Sequence, residues 1–301
     1  MSDATAGTAP APNPAATLPP LIDAQGIRAF RRHGWVRVRG VLNAAQMAQI
    51  VKSWDKALEA PPKHSDIYPS ERNRADNVRQ EDPESRKILQ IVRELRFFDP
   101  AMDAIARDAR VGEMVRGLLG VAHARLLSEA YLEKPPASQG SKETPWHQDY
   151  CYEPLDRRNS LNVWIALQDI AAQQGALEFL SGSHRLGPMG RLEFTKSSDL
   201  SGVLLEEDLE LMWSLRHEDD VKGPFGAPLA RPDVKAGDAL VFHGLTFHGA
   251  GPNTTELRRR AYQRFFIGAD VRYNAMPDRR TDGLGMSMGD HFESDRFPLV
   301  S

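Results

Sequence analysis

The sequence has a single cysteine, Cys151, no excess of basic residues and no long apolar run. One thiol excludes an intramolecular disulfide framework and fits a reducing compartment. Without a run of about 18 apolar residues no helix is expected to span a membrane. The N-terminus lacks the basic and apolar stretches of a secretory signal. A formal net charge of −3, with 26% charged residues, offers no electrostatic footprint for nucleic acid. These absences predict a cytoplasmic protein with no nucleic-acid or membrane partner, and they leave its oligomeric state open. At 301 residues the chain can bury a sizeable core.

Residues 1–19 are rich in Ala, Pro and Thr and nearly free of large apolar groups, so they are expected to be disordered. Residues 20–301 read as one domain: a helical part over 20–120, a β-rich core over about 121–270, and a C-terminal tail over 271–301. Asp23 opens a first helix, Trp35–Gly40 a short strand, and Asn43 a second helix to about Leu58. A polar, proline-punctuated loop fills 61–86, and helices are expected over 87–95 and 100–119, the latter ended by Gly120. From Arg125 the pattern turns to strands: Leu126–Leu132, the segment around His147, Ser160–Leu167, Gly175–Leu180, Asp238–His248 and Arg259–Ile267. An acidic helix near 205–215 is a candidate lid, and Met276–Ser301 a segment that folds over the site mouth. Consecutive strands after a helical N-terminal third predict a mainly β (α+β) fold, an antiparallel barrel or a two-sheet jelly roll and not a Rossmann sheet.

The chemistry centres on Thr144-Pro145-Trp146-His147-Gln148-Asp149-Tyr150. A histidine and a carboxylate two apart on a strand share a face and can hold one metal ion. The third ligand is sought downstream, where His243 and His248 are candidates. Five residues apart, they face opposite sides of one regular strand. His248 shares its side with Thr246 and Gly244, and His243 with Leu245 and Phe247, so His248 is the predicted ligand and His243 a packing residue. Two histidines and a carboxylate on one face of the ion form the facial triad of non-haem Fe(II) oxygenases. His33, His64, His123, His217 and His291 have no partner at ligand spacing, and His184 sits in a Ser-Gly-Ser-His turn.

The ordered set Lys134-Pro135-Pro136, His147-Gln148-Asp149, Trp164, Gly175–Arg185, Gly237-Asp238, His248–Asn253 and Arg259 resembles the phytanoyl-CoA dioxygenase family over residues 22–270. The resemblance implies a double-stranded β-helix (cupin-like jelly roll) with the N-terminal helices packed on it, and an Fe(II)- and 2-oxoglutarate-dependent oxygenase using O2 to hydroxylate a small-molecule substrate with release of succinate and CO2. It assigns His147, Asp149 and His248 to iron. Arg259, eleven residues after His248, falls where the family grips the distal carboxylate of 2-oxoglutarate, a task suited to a bidentate guanidinium. Trp164 matches a cosubstrate-lining tryptophan, and Gln90, expected on a helix, aligns with the residue at the C1-carboxylate. Family members often carry a hydroxyl where this chain has Ala250; Thr246 or Thr254 is the expected substitute.

Related halogenases replace the ligand carboxylate with a small residue, and Asp149 therefore argues against halogenation. Desaturation, epoxidation and ring formation stay open on the same iron. Trp146, Tyr150 and Cys151 are candidates for the substrate pocket, Cys151 also fitting as a small buried hydrophobe. No basic track for CoA is evident. Two other functions fit the bare residues: a metal-dependent jelly-roll enzyme that ignores 2-oxoglutarate, and a non-catalytic binding or sensor module on the same fold.

Overall fold

A computed structural model describes residues 19–60, 63, 83–191 and 203–300. The Ala/Pro-rich N-terminal stretch, most of the 61–86 loop and residues 192–202 lie outside the described residues. Asp23 caps α1 (Ala24–His33) by accepting from the Gly26 amide at 2.8 Å. Gly34 ends it at φ 84° and leads into β1 (Trp35–Val38). Asn43 and Gln46 form a reciprocal capping box at the start of α2 (Ala44–Glu59).

The helix expected over 87–95 is absent. α3 (Pro83–Ile88) stops early, and β2 (Gln90–Arg93) follows, with Ile91 and Val92 paired to an edge of β3 (Ala124–Lys134). Sheet pairing of branched side chains overrides the helical spacing here. The helix expected over 100–119 is two, α4 (Pro100–Ala106) and α5 (Ala109–Leu119). Asp108 leaves the helical conformation between them and caps α5 through the amides of Arg110 and Val111.

The later strands are β4 (Thr144–His147), β5 (Ser160–Ala166), β6 (Leu177–Leu180), β7 (Val221–Lys222), β8 (Pro228–Ala230), β9 (Ala239–His243), β10 (His248–Ala250), β11 (Arg259–Gly268) and β12 (Leu299–Val300), with α6 (Glu206–Leu215) before β7. The larger sheet runs β1-β9-β5-β11-β3, with β2 and β12 both on the far edge of β3. The smaller runs β4-β10-β6-β8-β7, and every pairing in both sheets is antiparallel. This is the expected mainly β jelly roll with N-terminal helices packed against it.

Strand alternation sorts the core. On β5, Leu161, Val163 and Ile165 face the helices, among Phe30, Trp54 and Met114. Trp164 and Ala166 face the smaller sheet, among Phe179, Phe242 and Ala261. β5 is buried on both faces and so carries apolar residues on each. The acidic helix is docked, not free: Met212 is buried among Leu180, Leu229 and Phe247 behind the smaller sheet. The C-terminal segment also belongs to the body, since Phe292 and Phe297 pack with Leu127, Phe265 and Ile267.

His184 pins the turn after β6, its Nε2 donating to the Arg31 carbonyl at 3.2 Å. Burial, aided by Arg185 and Arg158, pushes its imidazole down to about 4. In the unfolded chain the ring titrates near 6.5. The unfolded state therefore takes up this proton first, and the stability present above pH 6.5 is lost as pH falls toward 4. The loss is up to about 1.4 kcal/mol per pH unit from this ring. Urea unfolding of wild type and H184N between pH 7 and 5 is expected to show a shallower pH slope in the variant. Equal slopes contradict the assignment.

Candidate active site

β4 and β10 are neighbours, and His147 and His248 are direct cross-strand partners with imidazole centroids 4.1 Å apart. Alternation turns both rings inward and sends Trp146 outward, where it packs with Leu180 and Phe247. The structure thus places Trp146 behind the sheet, away from the expected pocket. β4 ends at His147, and Asp149 opens a 3-10 turn, Asp149–Tyr152. The shared strand face expected for His147 and Asp149 does not exist; the turn does that work instead. It brings Asp149 Oδ1 to 3.3 Å from His147 Nε2 and 3.7 Å from His248 Nε2.

His243 and His248 also lie on different strands in different sheets, so the parity argument between them does not apply. His243 accepts from the Leu245 amide and sits beside His184, outside the cluster. Among the described residues one other group could offer three ligand atoms, His217, Glu218 and Asp219, on an exposed turn. His217, expected to have no partner at ligand spacing, lies 3.5 Å from Asp219.

The tautomers are set by the backbone. His147 Nδ1 donates to the Pro145 carbonyl at 2.8 Å, and His248 Nδ1 to the Thr246 carbonyl at 3.0 Å. A carbonyl only accepts, so each ring donates from Nδ1 and turns Nε2 toward the carboxylate. Burial, aided by His147, pushes His248 down to about 4. Burial alone would raise the Asp149 carboxyl, but His248, His147 and Asn162 hold it down to about 2. Two imidazole nitrogens and a carboxylate oxygen that lie within 4.8 Å of one another offer three ligand atoms to one cation. Ligand atoms cis to one another on an ion with bonds of about 2.0–2.2 Å stand about 3 Å apart, close to the spacing found.

Two supporting residues escaped the sequence. Asn162 Nδ2 donates to Asp149 Oδ2 at 2.5 Å; a buried amide two residues before Trp164 in an apolar strand was the available signal. Gln148 donates to the Gly187 and Leu245 carbonyls at 2.9 and 2.8 Å, tying two loops to the site.

Arg259 shares the inner face of β11 with Ala261, and its guanidinium carbon lies 5.2 Å from the centre of the Trp164 ring. Its side chain is buried, its Nε has no partner, and among the described residues it makes no hydrogen bond or ion pair. Burial alone draws its pKa down to about 10, so it remains charged. Of the neighbouring arginines, Arg258 and Arg260 pair with Glu133, and Arg264 donates to the Ile105 carbonyl through Nη1 while its Nε and Nη2 have no partner. Lys134, opposite Arg259 on β3, is fully buried and donates to the Ile88 carbonyl and Thr144 Oγ1. Burial, then Arg259, pushes its ammonium down to about 6. An unpaired buried guanidinium beside a tryptophan fits an anionic carboxylate.

Other expected site residues are placed elsewhere. Gln90 is on β2, opposite Glu133, with Ile91 taking the face toward the inter-sheet core; the structure does not bring it to the cluster. Thr246 spends its hydroxyl on the Gly34 carbonyl at 2.8 Å, and exposed Thr254 bonds the Gln173 carbonyl, so neither replaces the hydroxyl missing at Ala250. Tyr150 packs against the C-terminal cluster, its hydroxyl on the Leu155 carbonyl. Cys151 is half-buried in the turn, with its thiol 3.5 Å from Gln148 Oε1 and pushed up by burial. The Tyr152 ring lies 6.2 Å from that of His147.

A jelly roll with a His-x-Asp…His cluster between its sheets has the architecture of iron- and 2-oxoglutarate-dependent oxygenases. The chain belongs to the phytanoyl-CoA dioxygenase family, whose model matches residues 30–261. It is 24% identical over 244 residues to a probable α-ketoglutarate-dependent hypophosphite dioxygenase of Stutzerimonas stutzeri, spanning 81% of this chain and 78% of that one. It is 26% identical over 273 residues to the ectoine dioxygenase of Sphingopyxis alaskensis, spanning 88% and 80%. The fold matches an epimerase crystallised with Fe3+, α-ketoglutarate and nogalamycin RO at a TM-score of 0.65 and 20% identity, covering 92% of this chain and 98% of that one. Membership of this family makes the protein an enzyme, an Fe(II)/2-oxoglutarate-dependent oxygenase.

The unpaired Arg259 has a consequence for stability. R259M is expected to stabilise the protein free of metal and cosubstrate by on the order of 1–4 kcal/mol, because a buried charge is replaced by an apolar group of similar length. Denaturant unfolding of the two apo proteins measures this, and a less stable variant contradicts it.

Proposed function

We propose that His147, Asp149 and His248 hold Fe(II), that Arg259 grips the distal carboxylate of 2-oxoglutarate beside Trp164, and that the enzyme hydroxylates an unactivated C–H bond of a small organic metabolite. The observation that carries this reading is the convergence of Asp149 Oδ1 with Nε2 of His147 and of His248, together with a buried guanidinium that pairs with no acid among the described residues. When bound, iron and 2-oxoglutarate supply the oxidative decarboxylation by O2, giving succinate and CO2, that drives the attack on the substrate.

The protein's own groups perform the rest. Pro145 and Thr246 carbonyls fix both rings with Nε2 inward, and such supporting bonds orient metal ligands and raise their basicity. Asn162 fixes the rotation of Asp149 by holding Oδ2, leaving Oδ1 toward the imidazoles. Because Asp149 fills the carboxylate position, no ligand site is vacated for halide, and oxygen transfer is favoured over halogenation. Phe242, 4.4 Å from His248 between ring centroids, and Phe179 wall the histidines against water. Arg259 would hold the distal carboxylate of the cosubstrate, a task to which a guanidinium's paired donors are suited. Ectoine, hypophosphite and nogalamycin RO, named for the relatives, are all small molecules, and this supports a small-molecule substrate here.

Succinate formation from 2-oxoglutarate, with Fe(II), ascorbate and O2, tests the roles. H147A, D149A and H248A are expected to abolish it with the fold retained. R259A is expected to raise the KM for 2-oxoglutarate by about 30-fold or more, from roughly 2 kcal/mol or more for a buried charge contact. Full activity in any triad variant, or an unchanged KM in R259A, defeats the corresponding assignment.

A further inference from the structure

The metal carboxylate sits on a short turn, and that turn is gripped from the far end of the chain. Glu153 follows the Asp149–Tyr152 turn as its C-terminal cap. Arg280 Nη2 donates to Glu153 Oε2 at 2.5 Å and to Asp278 Oδ2 at 2.7 Å, while its Nε donates to Asp278 Oδ1 at 2.8 Å. Arg280 is only 7% exposed, so this is a buried ion-pair cluster, not a surface bridge.

Further contacts run along the same seam. Leu155 and Tyr273 form a bridge, Asp156 bonds the Arg272 backbone through both its side chain and its amide, and Asn274 bonds Pro154 and Leu155. Arg191 ties the Cys151 carbonyl to the Met276 sulfur. All the C-terminal partners here lie beyond residue 261, where the family match ends.

We propose that Arg280 is a positioning residue for the iron site: by clamping Glu153 to Asp278 it fixes the 3-10 turn, and with it the direction of Asp149. The proposal rests on the assignment of Asp149 as an iron ligand. The physical reason is that a one-turn 3-10 element has little stiffness of its own. Asn162 holds Asp149 through Oδ2 and the Tyr150 amide donates to the Gly244 carbonyl at 2.9 Å, while the turn's far end is left to Glu153 and its partners. A guanidinium bonds two carboxylates in a fixed plane; an ammonium cannot reproduce that fork. The C-terminal segment, outside the family match, thereby becomes part of the metal site's support.

Anaerobic titration of the metal-free full-length protein with Co(II), a visible reporter in place of Fe(II), provides the test. R280M is expected to bind Co(II) about 10- to 100-fold more weakly than wild type, the usual range for loss of an outer support. Its Co(II) absorption bands are expected to shift as Asp149 turns. R280K is expected to recover part of the affinity, and D278N, which keeps the Arg280–Glu153 bond, to lie nearer wild type. Should R280M fail to fold, R280K and D278N give the same ordering. Wild-type affinity and spectrum in R280K, or in a folded R280M, overturn the proposal even if those variants melt earlier. A wild-type protein that takes up no Co(II), or whose binding is untouched in D149A, overturns the ligand assignment beneath it and is distinct from the first outcome.

Discussion

Two charges of opposite sign, a carboxylate set against two imidazoles and a buried guanidinium, organise the site. Asp149 presents one oxygen to Nε2 of both histidines, and Arg259 lies buried with no acid among the described residues. Each arrangement costs several kcal/mol in a folded chain unless something completes it. A cation completes the first and a carboxylate the second. Selection for stability alone would have removed both, as hydrophobic replacements at such positions commonly stabilise. The two charges are best understood as a site held ready for iron and 2-oxoglutarate.

The jelly roll makes that tolerable by separating its two faces. On β5 and β11 one row of side chains builds the apolar contact with the N-terminal helices, and the alternate row builds the site. Tyr262, Arg264 and Phe266 go outward; Arg259 and Ala261 go inward. The smaller sheet repeats the device, with His147 and His248 inward and Trp146 outward against the α6 layer. The stability of the domain is thus carried by surfaces that hold no catalytic group, while the reactive row is free to hold charge.

Much of this was legible from residues alone, where local chemistry and family pattern agree. Asp23 and Asn43 cap the helices they were expected to cap, and the strand order after Arg125 foretold the two-sheet fold. The cluster of His147, Asp149 and His248 was found from spacing, though by a route the structure corrects. Asp149 is on a turn, and His243 and His248 are on separate strands. What escaped depended on contacts distant in sequence. β2 exists because β3 offers an edge 40 residues away, Thr246 is consumed by Gly34, and Arg280 reaches Glu153 across 127 positions. Periodicity reports which face a residue takes, not which partner waits there.

The central claim, that one site takes both iron and 2-oxoglutarate, is tested most directly by anaerobic titration of the metal-free protein with Fe(II) and then 2-oxoglutarate. The visible absorption of the iron–2-oxoglutarate chelate is the signal. The account predicts a weak charge-transfer band that appears only when both components are present, and that at the same 2-oxoglutarate concentration is lost in R259M. A band that develops equally well in R259M, or iron binding that 2-oxoglutarate leaves unaltered, would contradict it.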